Sequence, residues 1–150
     1  MSLFETLKFI HVLFAVIWVG GGIFIYITGW RARKGPVAHK LAMSRNAEIS
    51  GRIFMISSIV VLAMGVWMVL DTDGYEFTQA WILIGLIGLI ISAALGGAFF
   101  DPQGKATIAA YEAGDEAAGD ALLARILNVA TFDLILLIVI VWAMVAKPGL

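Results

Sequence analysis

The sequence predicts an all-α fold, a transmembrane four-helix bundle with antiparallel neighbours. Three observations carry that expectation. Of the 150 residues, 61% are hydrophobic and only 14% are charged, with a mean hydropathy of +0.97. Soluble domains are about 45–50% apolar and about 25% charged, and a domain of this size cannot cover its surface with so few charges. Four apolar runs approach the roughly 20 residues needed to span about 30 Å of hydrocarbon. The intervening segments differ sharply in charge.

The runs lie at about 7–30, 53–70, 80–100 and 126–146. Each must be helical, because lipid offers no partner for an unpaired backbone group. The second is short and either recruits its polar flank or stands upright. The first lacks a basic region ahead of it and a small-residue cleavage site after it, so it reads as a retained helix. Asp101-Pro102 is expected to end the third helix, since a residue before proline disfavours helical geometry. The segment at about 104–124 reads as a helical loop of one or two short helices, broken near Gly114, with Asp115 or Asp120 as a cap. One integral membrane domain covers residues 1–150.

Orientation follows from the basic residues. Arg31, Arg33, Lys34, Lys40, Arg45 and Arg52 fall in the first connection, and Lys105 and Arg125 in the third. These eight of the ten Lys and Arg residues share one side, leaving Lys8 and Lys147 on the other. The positive-inside rule then puts connections one and three in the cytoplasm and both termini outside. A multi-pass protein of a bacterial inner (cytoplasmic) membrane is expected.

Composition also removes function classes. Cys is absent, which excludes disulfides, thiolate metal sites and cysteine nucleophiles. A net charge of −1 and the lack of a basic patch with interleaved aromatics argue against nucleic acid. No phosphate-binding glycine loop and no nucleophile–base–acid set is visible.

What polar chemistry remains is concentrated on two helices. Lys8, His11, Ala15, Trp18 and Gly22 step by three and four and share a face of the first. An intramembrane histidine is a functional hypothesis by default. His11 is either a ligand, of haem iron or of copper, or a hydrogen-bond donor to a neighbouring helix, or a residue of the headgroup zone. Met68 and Met144 lie at a similar depth, and a thioether ligates haem iron or Cu(I); each is otherwise core filler. His39 falls on the opposite side, so two histidines in one site are not expected.

On the fourth helix Asp133, Leu137, Ile140, Met144 and Lys147 form a second seam. Asp133 lies roughly 10 Å inside the helix end, where a carboxylate must be paired, protonated or hydrated. Arg52 and Arg125, nearer the same inner face, are its expected basic neighbours. The alternative to an ion pair is a proton or cation relay. Gly88, Ser92 and Gly96 give the third helix a small-residue face suited to close packing.

Lys8-x-x-His11, Trp18 with Gly20-Gly21, and the closing Met144-Val145-Ala146-Lys147-Pro148 resemble a bacterial family of predicted four-helix integral membrane proteins. That family is distantly similar to the HemJ-like protoporphyrinogen oxidases, which bind b-type haem through a first-helix histidine. Arg125, Asn128, Lys147 and Pro148 occupy comparable places. It is also similar to CopD-like copper-resistance membrane domains, which share the early histidine. The chain departs from the HemJ-like pattern in two places. It reads Asn128-Val129-Ala130-Thr131 where an Asn-Glu-x-Pro element would stand, and it has no histidine in the third helix.

The resemblance implies haem b near the outer face, with His11 as axial ligand, Met68 or Met144 as sixth ligand, Lys8 or Lys147 on a propionate and Trp18 along the macrocycle. An electron-transfer or porphyrin-oxidising oxidoreductase would follow. Copper handling and a non-catalytic subunit of a larger membrane complex are the rival readings. Expected partners are the lipid bilayer, a porphyrin or quinone, and a second copy or larger complex.

Overall fold

The computed structural model describes residues 2–149, all of whose regular elements are helical. Helix α1 spans Leu3–Ala32, α2 Val37–Asp71, α3 Ala80–Leu95, α4 Asp101–Glu112 and α5 Glu116–Ala146. A π-helical turn, Gly96–Phe100, carries α3 into α4. Four rods are long and apolar enough to cross a membrane: Leu3–Ala32, Val37–Asp71, Ala80–Glu112 and Glu116–Ala146. Helices α1 and α2 form one antiparallel hairpin, α3–α4 and α5 a second, and the two pack together.

Local chemistry sets the ends. The Ser2 N–H donates to Glu5 Oε2 at 2.8 Å and the Glu5 N–H donates to Ser2 Oγ at 3.2 Å, a capping box that opens α1. Asp115 caps α5 by accepting from the Ala118 N–H at 2.9 Å; Asp120 is used elsewhere. Helix α5 stops at Lys147, whose φ of 44° is left-handed, and Pro148 cannot resume it.

Three boundaries differ from the sequence expectation. The fourth span does not start near 126: α5 runs unbroken from Glu116 and takes in the second half of the expected helical loop, which sets Asp133 deeper along its helix. The rod containing α3 does not end at Asp101-Pro102 but continues to Glu112. A proline inside a helix offers no N–H and presses on the carbonyl four residues back. Here the wider π turn precedes it, with the Asp101 N–H reaching back to the Gly96 carbonyl, so the chain passes proline without stopping. Helix α2 begins at Val37 rather than near Ile53, so its polar flank is helical throughout.

At 1.5 Å per residue the 35 residues of α2 extend about 50 Å, against about 30 Å of hydrocarbon. The surplus forms a helical layer with α4 and the first turns of α5, on the face that carries the α1–α2 connection. We call this the basic face, and the opposite one, with both chain ends, the terminal face.

Trp18, Val61, Leu89 and Leu137 meet at the centre, with Phe14, Ala15, Phe54 and Ile140 packed around them. Small residues bring the rods together. A Cβ on Gly88 would stand 2.7 Å from Ile140 Cγ1, and one on Gly21 would stand 2.6 Å from Phe54 Cε1. Outward lie Val16, Phe24, Ile56, Ile87, Ile135 and Ile138, all exposed. Such a continuous apolar exterior suits hydrocarbon and would associate in water.

Candidate functional site

His11 faces α2. Its Nδ1 stands 2.9 Å from the Val61 carbonyl oxygen. A carbonyl only accepts, so the contact assigns the proton to Nδ1 and leaves Nε2 with a free lone pair. The donor role to a neighbouring helix, one of the readings of the sequence, is thus present, and it leaves the second nitrogen unused by the bond. Gly65, one turn from Val61, makes the approach workable: a Cβ there would lie 3.1 Å from His11 Cε1. Helix α2 therefore holds the imidazole by a bond and by a notch.

The other residues expected around a porphyrin are dispersed. Met68 is three residues beyond Gly65 and seven beyond Val61, on the α2 face that meets His11, and is half-buried. Met144 instead fills the space over Gly85, within the α3–α5 interface. Trp18 is buried among Val61, Leu89 and Leu137, so no flat ligand lies along it without opening the core. Lys8 is exposed one turn outward from His11. Lys147 donates to Tyr75 Oη at 2.8 Å, and its ammonium sits 4.9 Å and 5.0 Å from the ring centres of Tyr75 and Trp81.

Asp133 has no basic partner among the described residues. Arg125 lies over the Phe99 ring at 5.6 Å, Arg52 is exposed without an ion pair, and Asn128 is exposed. The ion pair expected with Arg52 or Arg125 is thus absent: Arg125 lies eight residues, about 12 Å of helix, nearer the basic face than Asp133 and covers Phe99, and Arg52 is exposed. The Ser92 hydroxyl lies close enough to interact with the carboxyl. Neither Ser92 Oγ nor Asp133 Oδ1, however, completes a well-formed hydrogen bond.

Sequence reasoning missed a charged cluster on the basic face. Lys40 Nζ donates to Asp120 Oδ1 and Oδ2 at 2.7 and 2.8 Å, and Tyr111 Oη donates to Oδ1 at 2.8 Å. Arg45 donates to Glu112 at 2.6 Å nearby. The hydrogen bonds from Lys40 and then Tyr111 hold the Asp120 carboxyl below the usual carboxylate range. Burial, and then Asp120, push the Tyr111 phenol up. Tyr111 lies across Gly119, which leaves no room for a Cβ. No local signal joins residues 40, 111 and 120; only the register of three helices does.

His39 is exposed on the basic face, in a groove with Arg31, Thr28, Met43 and Asn46. Along α1, Arg31 is 20 residues from His11, about 30 Å of helix, so the two histidines belong to different ends of the molecule.

These rods and their apolar exterior define a multi-pass integral membrane protein. The chain belongs to the family described as "Predicted integral membrane protein (DUF2269)", whose model matches residues 5–148. No curated protein and no solved structure shows significant similarity to it.

Proposed function

We propose that the protein binds a b-type haem or related metalloporphyrin through His11, in an electron-transfer or porphyrin-oxidising role. The observation that carries this reading is the His11–Val61 contact. Metal-ligating histidines characteristically donate their second nitrogen to a carbonyl or carboxylate, which fixes the tautomer and aims the ligating nitrogen. A single histidine is also compatible with this choice. Among the described residues no three His, Cys, Asp or Glu side chains gather as a metal site. A porphyrin supplies four nitrogens itself and asks the protein only for axial ligands.

The fit of the surrounding residues is partial. Nε2 of His11 is free, Met68 shares its face and Lys8 is open to meet a propionate. Trp18 does not take part, since it is committed to the core, and Met144 is committed to α3. A macrocycle between the two hairpins would have to displace Trp18 and Met144 from the core. When bound, haem would supply one-electron redox chemistry; the chain's own contribution is to fix the imidazole and its tautomer. By the positive-inside rule we assign the protein to a bacterial cytoplasmic membrane with the basic face in the cytosol.

The test is the absorption spectrum of the purified protein after expression with ample haem. Reduced-minus-oxidised bands that vanish in His11→Ala are expected; a colourless wild type would end the proposal. Copper is the second reading, favoured by Met68 on the His11 face, since thioether and imidazole together suit Cu(I). Metal analysis of the same two samples separates the two: copper bound by the wild type and lost in His11→Ala would replace haem with copper.

A further inference from the structure

A second polar site lies deeper in the membrane, and it is independent of His11. The central apolar layer is built from Trp18 on α1, Val61 on α2, Leu89 on α3 and Leu137 on α5. One helical turn toward the basic face, on the same face of each rod, stand Gly22, Ser57, Ser92 and Asp133. At the four equivalent positions the apolar layer is thus followed by residues without an apolar side chain.

Three features distinguish this layer from packing. Ser57 is fully buried and Ser92 nearly so, and each hydroxyl lacks a hydrogen-bond partner, as does Asp133 Oδ1. Nothing lies within 4 Å of where a Gly22 Cβ would be, so α1 leaves space there. The π turn starts at Gly96, one turn beyond Ser92, and such turns recur at functional sites. Unpaired polar atoms in hydrocarbon cost several kcal/mol each. Water needs two to four polar partners to occupy an interior site, and this layer offers three.

The charged and titratable groups of the neighbouring rods are engaged or remote. Tyr26 of α1 is hydrogen-bonded to Thr131 Oγ1 at 3.0 Å. Arg52 of α2 is exposed, Asp101 at the head of α4 is paired with Lys105, and Arg125 of α5 lies over Phe99. No base neutralises Asp133 from any side among the described residues.

We propose that this layer is a proton-binding site within the membrane. Water held by Ser57, Ser92 and the open space at Gly22 serves an Asp133 carboxyl that takes up and releases a proton. The exchange is carboxylate plus hydronium giving carboxylic acid plus water, with no bond changed except O–H and no redox partner. Because the Trp18 layer closes the terminal side, the site exchanges with the basic face.

The test is modification of the full-length protein in lipid nanodiscs with dicyclohexylcarbodiimide, to which a protonated carboxyl in apolar surroundings adds, its proton going to nitrogen and its oxygen to the central carbon. Peptide mass spectrometry reads the site. Asp133 is expected to be labelled, less so as pH rises, and Asp133→Asn to be unlabelled at that position. Gly22→Val, which fills the space for water, should slow labelling of Asp133 several-fold while the protein elutes unchanged. Labelling equal at every pH would show a permanently protonated structural acid and overturn the proposal; so would no labelling of Asp133 at all. Suppression by sodium chloride but not choline chloride at fixed pH would assign the carboxylate to a metal cation and equally overturn it.

Discussion

His11 Nδ1 lies 2.9 Å from the carbonyl oxygen of Val61, fifty residues away in sequence, and the glycine one turn from that carbonyl gives the ring its room. The position of the imidazole is therefore a property of the α1–α2 pair.

Gly65→Val should be destabilising through collision with the ring. An overpacked interior site costs typically about 1–3 kcal/mol, and a lower midpoint in detergent thermal unfolding is the expected reading. His11→Ala in the same background should recover much of the loss, because residues in contact couple. An additive double mutant would show that the ring does not sit in the Gly65 notch.

At the second interface, Gly88→Leu should separate α3 from α5, since any Cβ there meets Ile140. Gly20→Ala, at a position with open space, serves as the control and should leave the unfolding midpoint nearly unchanged. Circular dichroism melts of the two variants in one detergent make the comparison. Equal losses would mean the small residue at 88 has no packing role.

Asp120→Asn removes the negative charge that Lys40 and Tyr111 bond to and replaces one of its two acceptor oxygens by an NH2 donor. Hydrogen bonds to charged groups are worth about 1.5–3 kcal/mol, and with Asp120 half exposed the expected loss is about 1 kcal/mol after solvent screening. The pH dependence has a definite sign. A carboxyl held low in the folded state contributes its full stability above the unfolded value, about 4. That contribution is lost as pH falls from there through the folded value. The wild-type advantage over Asp120→Asn should thus be flat near neutrality and fade below about pH 4. An advantage that grew on acidification would contradict the arrangement.

Lys147→Met keeps the stem of the side chain and removes the ammonium over Tyr75 and Trp81. A partly desolvated cation–π contact is worth about 1 kcal/mol, so a modest fall in the melting midpoint should accompany altered tryptophan emission. Tyr75→Phe should give a smaller effect, because the ring face remains and only the 2.8 Å hydrogen bond is lost.

The rods were legible in the sequence because hydrocarbon imposes a single length and polarity on any span, and runs such as Ile126–Ala146 meet it plainly. The Asp115 cap was among two candidates for the same reason, as both precede an apolar helical run. Pro102 misled because its effect depends on the turn before it: a π turn at Gly96–Phe100 is a backbone choice that composition does not announce. The polar start of α2 was legible only as a flank the short span could recruit, because helix outside the membrane has no length rule. At the sites, His11 and Asp133 stood out as polar residues in apolar surroundings. Their companions did not, since Gly65, Ser57 and Ser92 look like ordinary small residues until helix register sets them opposite something.

Helix α2 is one uninterrupted rod from Lys40, clamped on the basic face, to Gly65, which seats the imidazole near the other. A continuous helix resists axial compression, so it behaves as a push-rod through the bilayer. Any partner or charge change that loosens the Lys40–Asp120 clamp and lets α2 slide would shift the carbonyl of Val61 beneath the ring, so that an event on the basic face would reach the imidazole near the terminal face.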